Sequence, residues 1–121
     1  MSPEIQTVTA WHEALNSADV DRLVALSHPE VEVGGPRGTA RGAQILREWV
    51  DRANILLEPL RVFHEADTVV VEQEAEWQSA DPGGRQRGAS VFVVRDGLVT
   101  GVVRYPDLAS AMRAANLDRP R

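Results

Sequence analysis

The spacing of apolar residues changes once along this chain of 121 residues, and that change limits the folds open to it. Up to about residue 53, apolar side chains recur every three or four positions, which is typical of amphipathic helices. From about residue 57 onward, apolar and polar residues alternate, which is typical of half-buried strands. Helices followed by strands of this kind predict an α+β fold, in which helices cover one face of an antiparallel sheet.

The first half predicts three helices and one short strand. Asp19 is expected to cap the second helix, and Pro29 is expected to end it. The letters VEV, residues 31–33, predict a short strand that leads into a Gly- and Pro-rich loop, GGPRGTARG. A third helix is predicted over residues 43–53, with its apolar side buried.

The second half predicts a meander of strands joined by tight turns. The predicted strands are LEPLRVFHE, DTVVVEQEAEWQS, RQRGASVFVVR and LVTGVVRY. DPGG is expected to form the turn of the central hairpin. A turn centred near Pro82 and Gly83 would place Ala75 opposite Ser90. After the last strand, Asp107 is expected to cap a short final helix.

One strand carries glutamates at alternate positions, Glu72, Glu74 and Glu76, so these side chains share one face. The opposite face holds Gln73 and Trp77 among apolar residues, and we expect it to face the helices. Burying three like charges without partners would be strongly unfavourable. The glutamates are therefore expected to face water or a partner subunit.

Composition excludes several classes of function. The sequence has no cysteine, which rules out disulfides, thiol nucleophiles and metal sites built on cysteine. The net charge of −5 at pH 7 disfavours nucleic acid, because phosphates attract basic surfaces. No apolar run is long enough to span a membrane, and no signal peptide opens the chain. We therefore expect one cytoplasmic domain over residues 1–121, with neither a membrane nor a nucleic-acid partner.

Three segments together resemble a known superfamily: WHEALNSADVDRLVALSHPEVEV, GPRGTARGAQILREW and VFVVRDGLVTGVVRYPDL. In this order they are similar to the nuclear transport factor 2-like superfamily, and most of all to its SnoaL-like and ketosteroid isomerase-like branch. The resemblance implies a cone-shaped fold. A curved antiparallel sheet would wrap a long N-terminal helix, with two further helices, and enclose a deep apolar pocket. It also implies a homodimer formed through the outer face of the sheet.

The same resemblance shows which catalytic residues are missing. Trp11 stands where ketosteroid isomerases have a tyrosine, and Gly35 stands where they have a general-base aspartate before a proline. Ser90 replaces their second, protonated aspartate. Arg104 occupies the place of an aspartate in limonene epoxide hydrolases. Steroid isomerase chemistry is therefore not expected, and the catalytic residues, if any, stay unassigned.

Pattern and resemblance together predict the residues that would bind a ligand. Arg104 is the most informative, because a buried guanidinium requires a carboxylate, a phosphate or a ring face. The alternative is that Arg104 pairs with Asp107 or extends out of the cone. The expected ligand-binding residues are Trp11, Trp49, Gln73, Trp77, Ser90, Phe92 and Arg104.

Metal ions and cofactors are not expected. His12, His28 and His64 lie on different predicted elements, and no two of them have the spacing of metal ligands. The loop GGPRGTARG is too irregular to be a nucleotide motif, so it is interpreted as a pocket rim.

Three functions are compatible with these residues. The favoured hypothesis is binding of a small hydrophobic or acidic molecule. The second is a cofactor-independent isomerase, cyclase or hydrolase, in which Gln73, Ser90 and Arg104 polarise a carbonyl and His12 is the base. The third is a dimerisation module with a filled pocket. An open cavity that contains Arg104 would favour the first two hypotheses over the third.

Overall fold

A computed structural model of the chain describes residues 2–35, 38–53, 55–77 and 85–117. It has the predicted α+β architecture, with helices packed on a curved six-stranded sheet. No helix of the described part is long and apolar enough to cross a membrane. The elements in chain order are α1 Pro3–Asn16, α2 Val20–Ala25, β1 Ser27–Gly35, β2 Gly38–Arg41, α3 Ala43–Ala53, β3 Ile55–Glu65, β4 Thr68–Trp77, β5 Arg85–Arg95, β6 Leu98–Tyr105 and α4 Leu108–Ala114.

The strands lie in the order β2-β1-β6-β5-β4-β3. From β3 to β6 the chain forms the predicted antiparallel meander, whereas β1 runs parallel to β6. In that parallel pair Val33 is the partner of Val102. The first part of the chain therefore enters the sheet beside its last strand.

Local signals explain where the helices begin. The side chains of Ser2, Asp19 and Asp107 accept hydrogen bonds from backbone N–H groups in the first turns of α1, α2 and α4. The prediction that Pro29 ends α2 is wrong, because the helix already ends at Ala25 and Pro29 lies within β1.

The segment predicted as the loop GGPRGTARG is largely strand. β1 continues to Gly35, and β2 pairs with it antiparallel from Gly38 onward. Gly34 makes this pairing possible, since a Cβ there would collide with the methyl group of Thr39. All four residues of β2 are exposed, so they show no alternation of apolar and polar residues, and the sequence pattern does not predict this strand.

The central hairpin has a different register from the predicted one. Ala75 is the partner of Gln86 rather than Ser90, and Ser90 is the partner of Val71. The predicted turn, DPGG, lies outside the described residues. Because the shift is an even number of residues, the described side chains of β4 keep their predicted faces.

The two faces of the sheet are covered differently. On the inner face, defined as the face toward α1, buried residues such as Trp11, Leu46 and Phe92 form the main core. On the outer face, α4 packs its Ala111 against Val70 and Ala89. Helices were expected on one face only, so the position of α4 corrects that expectation. A helix of seven residues has too few apolar positions for its sequence to indicate which face of the sheet it covers.

Arginines of the adjacent strands pair with the glutamates on the outer face. Glu72 lies opposite Arg61 and accepts two hydrogen bonds from it, at 2.8 and 3.3 Å. Glu74 pairs with Arg85 and Arg87. The face is the predicted one, but Glu72 is only 7% exposed, so it does not face water as expected. Its cross-strand partner makes this burial tolerable.

Candidate functional site

A cavity of about 660 Å³ lies between the inner face of the sheet, α1 and α3. This volume is within the range of small-molecule sites, about 300–1,000 Å³. Among the described residues that line it, the charged ones are Arg52 and Arg104. The full set of described lining residues is Trp11, Val33, Gly34, Gly35, Gly38, Ile45, Trp49, Arg52, Ile55, Leu57, Ser90, Val102 and Arg104.

Trp11 forms part of the cavity wall and is held rigidly. It belongs to the buried stripe of α1, one turn after Val8. Its Nε1–H donates to Ser27 Oγ at 3.2 Å, and its ring meets Phe92 edge-on with the centroids 5.2 Å apart. The ring is completely buried, so its orientation is set by these neighbours rather than by solvent.

Helix α3 supplies the opposite wall. Ile45, Trp49 and Arg52 occur at helical spacing and all line the cavity. Leu46, on the neighbouring stripe, is fully buried in the core and anchors the helix. One face of α3 therefore presents an aromatic ring and a guanidinium to the same space.

Ser90 and Arg104 form the polar end of the cavity. Both are hydrogen-bonded to Gln73, which lies directly behind them. Gln73 is fully buried, and its Oε1 accepts from Ser90 Oγ at 2.8 Å and from Arg104 at 3.0 Å. On its other side, the amide nitrogen of Gln73 lies 2.7 Å from Nε2 of His12. His12 Nδ1 lies 2.8 Å from the Val8 carbonyl. A continuous chain of hydrogen bonds thus runs from α1 to the cavity.

Burial lowers the pKa of two groups in this chain, the His12 imidazole and the Arg104 guanidinium. His12 is 3% exposed, and burial lowers its pKa, although the hydrogen bond with Val8 acts in the opposite direction. Burial also lowers the pKa of the Arg104 guanidinium, but its ordinary value is so high that it keeps its charge at neutral pH. At neutral pH the site therefore combines a neutral imidazole with a charged guanidinium.

Gly88 gives the Arg104 side chain room to reach Gln73. A Cβ on Gly88 would lie 2.8 Å from Nη2 of Arg104 and 2.9 Å from the carbonyl oxygen of Tyr105. The Arg104 side chain therefore lies flat over β5 toward Gln73, which rules out an outward orientation. Asp107, its proposed alternative partner, accepts from the backbone N–H of Ser110 at 2.7 Å and caps α4.

The structure brings most of the predicted site residues together. Trp11, Trp49, Ser90 and Arg104 line the cavity. Gln73 and Phe92 are fully buried behind this wall and support it. The side chain of Trp77 lies outside what the structure describes. Whether any of these residues binds a ligand stays a prediction.

Arg52 is the lining residue that the pattern analysis missed. It follows Trp49 by three positions on α3, so helical spacing alone would have placed it beside the cavity. In the described ranges, no group of three or more histidine or acidic side chains is placed to hold a metal ion.

Several solved structures share this fold. An NTF2-like protein of unknown function from Cytophaga hutchinsonii is 15% identical, with a TM-score of 0.78 and coverage of 93% of this chain and 94% of that one. TerC, co-crystallised with polyporic acid, is 22% identical, with a TM-score of 0.78 and coverage of 90% and 95%. A protein from Xanthomonas campestris pv. campestris, provisionally assigned as a polyketide cyclase, is 23% identical, with a TM-score of 0.74 and coverage of 89% and 93%.

The family is shown by the sequence itself. No curated protein matches the chain. The family model of the SnoaL-like domain, however, matches residues 8–102, which include every strand down to most of β6. The cone-like fold of the structural neighbours agrees with this match. The chain therefore belongs to the SnoaL-like domain family, within the nuclear transport factor 2-like superfamily.

Proposed function

We propose that this protein binds a small, mainly apolar molecule that carries an acidic group, in the cavity between α1, α3 and the sheet. The observation that carries the proposal is the pair of arginines, Arg52 and Arg104, among the described lining residues of a mainly apolar cavity. Trp11 and Trp49 supply apolar surface in the same space. A mainly apolar cavity with a few convergent polar groups is typical of small-molecule sites.

Charge supports an acid over a neutral ligand. Arg104 is partly buried, and a charge is less screened there than on the surface, so an anionic group gains more from approaching it. A guanidinium also matches the planar, two-oxygen shape of a carboxylate. TerC, a protein of the same fold, was co-crystallised with polyporic acid.

The geometry supports binding more directly than catalysis. His12, the expected base, is not among the residues that line the cavity, and both of its ring nitrogens are in hydrogen bonds with Val8 and Gln73. Ser90, in turn, has no adjacent base in the described site, since it donates to Gln73. The open cavity also argues against a filled cone as the sole function. A homodimer and a cytoplasmic location stay predictions.

The test is a titration followed by intrinsic tryptophan fluorescence, since Trp11 and Trp49 line the cavity. Two probes are matched, 3-phenylpropanoate and its methyl ester. We expect the acid to bind at least about tenfold more tightly than the ester, which corresponds to one charge-assisted hydrogen bond. Arg104→Ala should remove this preference.

The control variant is Arg22→Ala, which removes the same charge from a side chain that is 49% exposed and pairs with Glu13. It should leave the preference for the acid unchanged. Equal affinity for acid and ester in the wild-type protein would contradict the proposal. An equal loss of preference in both variants would show that only the net charge of the protein matters.

A further inference from the structure

In the chain of hydrogen bonds that joins Val8, His12, Gln73 and Arg104, donors and acceptors can be assigned. The assignment begins at the Val8 carbonyl. A backbone carbonyl only accepts, so His12 Nδ1, 2.8 Å from the Val8 oxygen, carries the proton. In the neutral imidazole the other nitrogen, Nε2, is then an acceptor. The amide nitrogen of Gln73, 2.7 Å away, therefore donates to it.

Arg104, at the other end of the chain, independently assigns the same orientation to the Gln73 amide. A guanidinium has donors only, so the Gln73 atom that lies 3.0 Å from Nη1 of Arg104 must be the amide oxygen. With the amide reversed, an N–H donor of Gln73 would face the guanidinium, so two donors would meet. Val8 at one end and Arg104 at the other therefore assign the same side-chain orientation to Gln73.

This orientation determines what Ser90 can offer to a ligand. A serine hydroxyl has one proton, and Ser90 donates it to Gln73 Oε1 at 2.8 Å. Its oxygen keeps lone pairs, so toward the cavity Ser90 acts as an acceptor. Arg104 lies beside it, bonded to the same Gln73 oxygen, and can only donate. The polar end thus presents a cationic donor next to a neutral acceptor.

We infer that the ligand is a hydroxy acid, whose anionic oxygen faces Arg104 and whose hydroxyl donates its proton to Ser90. This inference rests on the proposed function, and it narrows the acid to one with a hydroxyl a few atoms away. That hydroxyl would occupy a lone pair that Ser90 Oγ keeps in a buried site, where Ser90 is only 2% exposed. A site that accepts a hydrogen bond from a ligand hydroxyl discriminates against analogues that lack it.

Four matched probes test the inference by isothermal titration calorimetry: 3-hydroxy-3-phenylpropanoate, 3-phenylpropanoate, 3-methoxy-3-phenylpropanoate and the methyl ester of the first. The methoxy compound keeps the oxygen but lacks the proton. We expect the wild-type protein to bind the hydroxy acid at least about tenfold more tightly than either the deoxy or the methoxy acid. This comparison needs no variant, so it does not depend on the folding of one.

Two variants assign the preference to Ser90. Ser90→Ala removes the acceptor and should reduce the preference for the hydroxy acid to less than about threefold, while leaving the preference for acid over ester. Ser90→Thr keeps the hydroxyl and should retain the preference. Thermal unfolding of both variants shows whether the fold is intact.

The outcomes separate the two proposals. Tighter binding of acids than of the ester, with no effect of the hydroxyl, overturns the hydroxy-acid inference and leaves the proposed function standing. Equal binding of acid and ester, or no binding of any of the four probes, overturns both. Equal affinity for the hydroxy and methoxy acids would also overturn the inference, because the oxygen alone would then account for binding.

Discussion

The Nε2 atom of His12 and the side-chain amide nitrogen of Gln73 lie 2.7 Å apart, with the amide as the donor. The two residues are 61 positions apart in the sequence and belong to α1 and β4. This bond connects the N-terminal helix to the polar end of the cavity. The protonation state of the histidine and the orientation of the amide therefore depend on each other.

Gln73→Glu tests this dependence. The introduced carboxylate would have no proton to donate to His12 and would favour the imidazolium, so we expect the pKa of His12 to rise above its ordinary value of about 6.5 instead of lying below it. The variant would also compensate the charge of Arg104 and weaken the binding of acids. The measurement is an NMR titration of the His12 ring protons. A pKa still below the ordinary value would mean that residue 73 does not contact the His12 ring as the 2.7 Å distance requires.

His12 also predicts how stability depends on pH. Burial lowers its pKa in the folded state, so below its ordinary pKa of about 6.5 the unfolded chain binds a proton that the folded protein does not. Stability should therefore fall as the pH decreases below about 6.5, with a slope of up to about 1.4 kcal/mol per pH unit, and this loss should end below the folded-state pKa.

Urea denaturation at pH 5 to 7.5 measures this slope. In His12→Gln the part of the slope due to His12 should disappear, whereas His28→Gln, which changes an exposed histidine, should behave like the wild type. If His12→Gln keeps the full slope between pH 5 and 7.5, then His12 is not the residue responsible.

The side chain of Asn16 connects the end of α1 to the backbone of Leu57, which lines the cavity. Asn16 donates to the Leu57 carbonyl and accepts from the Leu57 N–H, both at 2.8 Å. Asn16→Ala leaves both backbone groups without this partner, and we expect a loss of about 1–3 kcal/mol in the free energy of unfolding. Thr9→Ala, on the exposed side of α1, is the control and should change stability by less than about 0.5 kcal/mol.

Gly88→Ala tests the space that Arg104 requires. The new methyl group would contact Arg104 and the rigid carbonyl of Tyr105, so we expect a loss of about 1–3 kcal/mol in stability together with weaker binding of acids. Gly101→Ala is the matched control, since Gly101 does not line the cavity and a Cβ there would make only ordinary contacts with Glu32, at 3.9 Å or more. A stable Gly88→Ala protein with unchanged affinity would mean that Arg104 does not need its present position.

Substitutions on the outer face should leave binding intact. Glu72→Gln, Glu74→Gln and Glu76→Gln alter side chains that point away from the cavity and pair with arginines of β3 and β5. We expect each variant to bind the acidic probe with an affinity within about twofold of the wild type, because the change lies across the sheet from the site. A tenfold loss in any of them would contradict the assignment of the two faces.

Much of the fold was predictable because strong local signals agreed with the tertiary structure. The bounds of α3, β5 and β6 match the predicted segments. The side of β4 that faces the core was predictable, because an even shift of register leaves each side chain on the same face of the sheet. The register itself was not predictable, since it depends on the length of the connection between β4 and β5 rather than on the pattern within either strand.

The site was predictable only in part, for a related reason. Trp11, Trp49, Ser90 and Arg104 could be placed at the cavity from face and resemblance. The hydrogen bonds that join Gln73 to His12 and to Arg104 depend on distances between elements, which no sequence period encodes. Arg52 was missed because a charged residue near the end of a helix is usually interpreted as solvated, although its spacing from Trp49 places it beside the cavity.

The parallel pairing of β1 with β6 limits how early the complete sheet can form during synthesis of the chain. In the described sheet β6 lies between β1 and β5, so the hairpin of β1 and β2 joins the other strands only through residues 98–105. A growing chain on the ribosome can form the meander from β3 to β5 earlier, but it can close the cavity only after β6 has emerged. Arg104 arrives on that same strand. The ability to bind an acid and the closure of the fold should therefore appear together, once β6 has been synthesised.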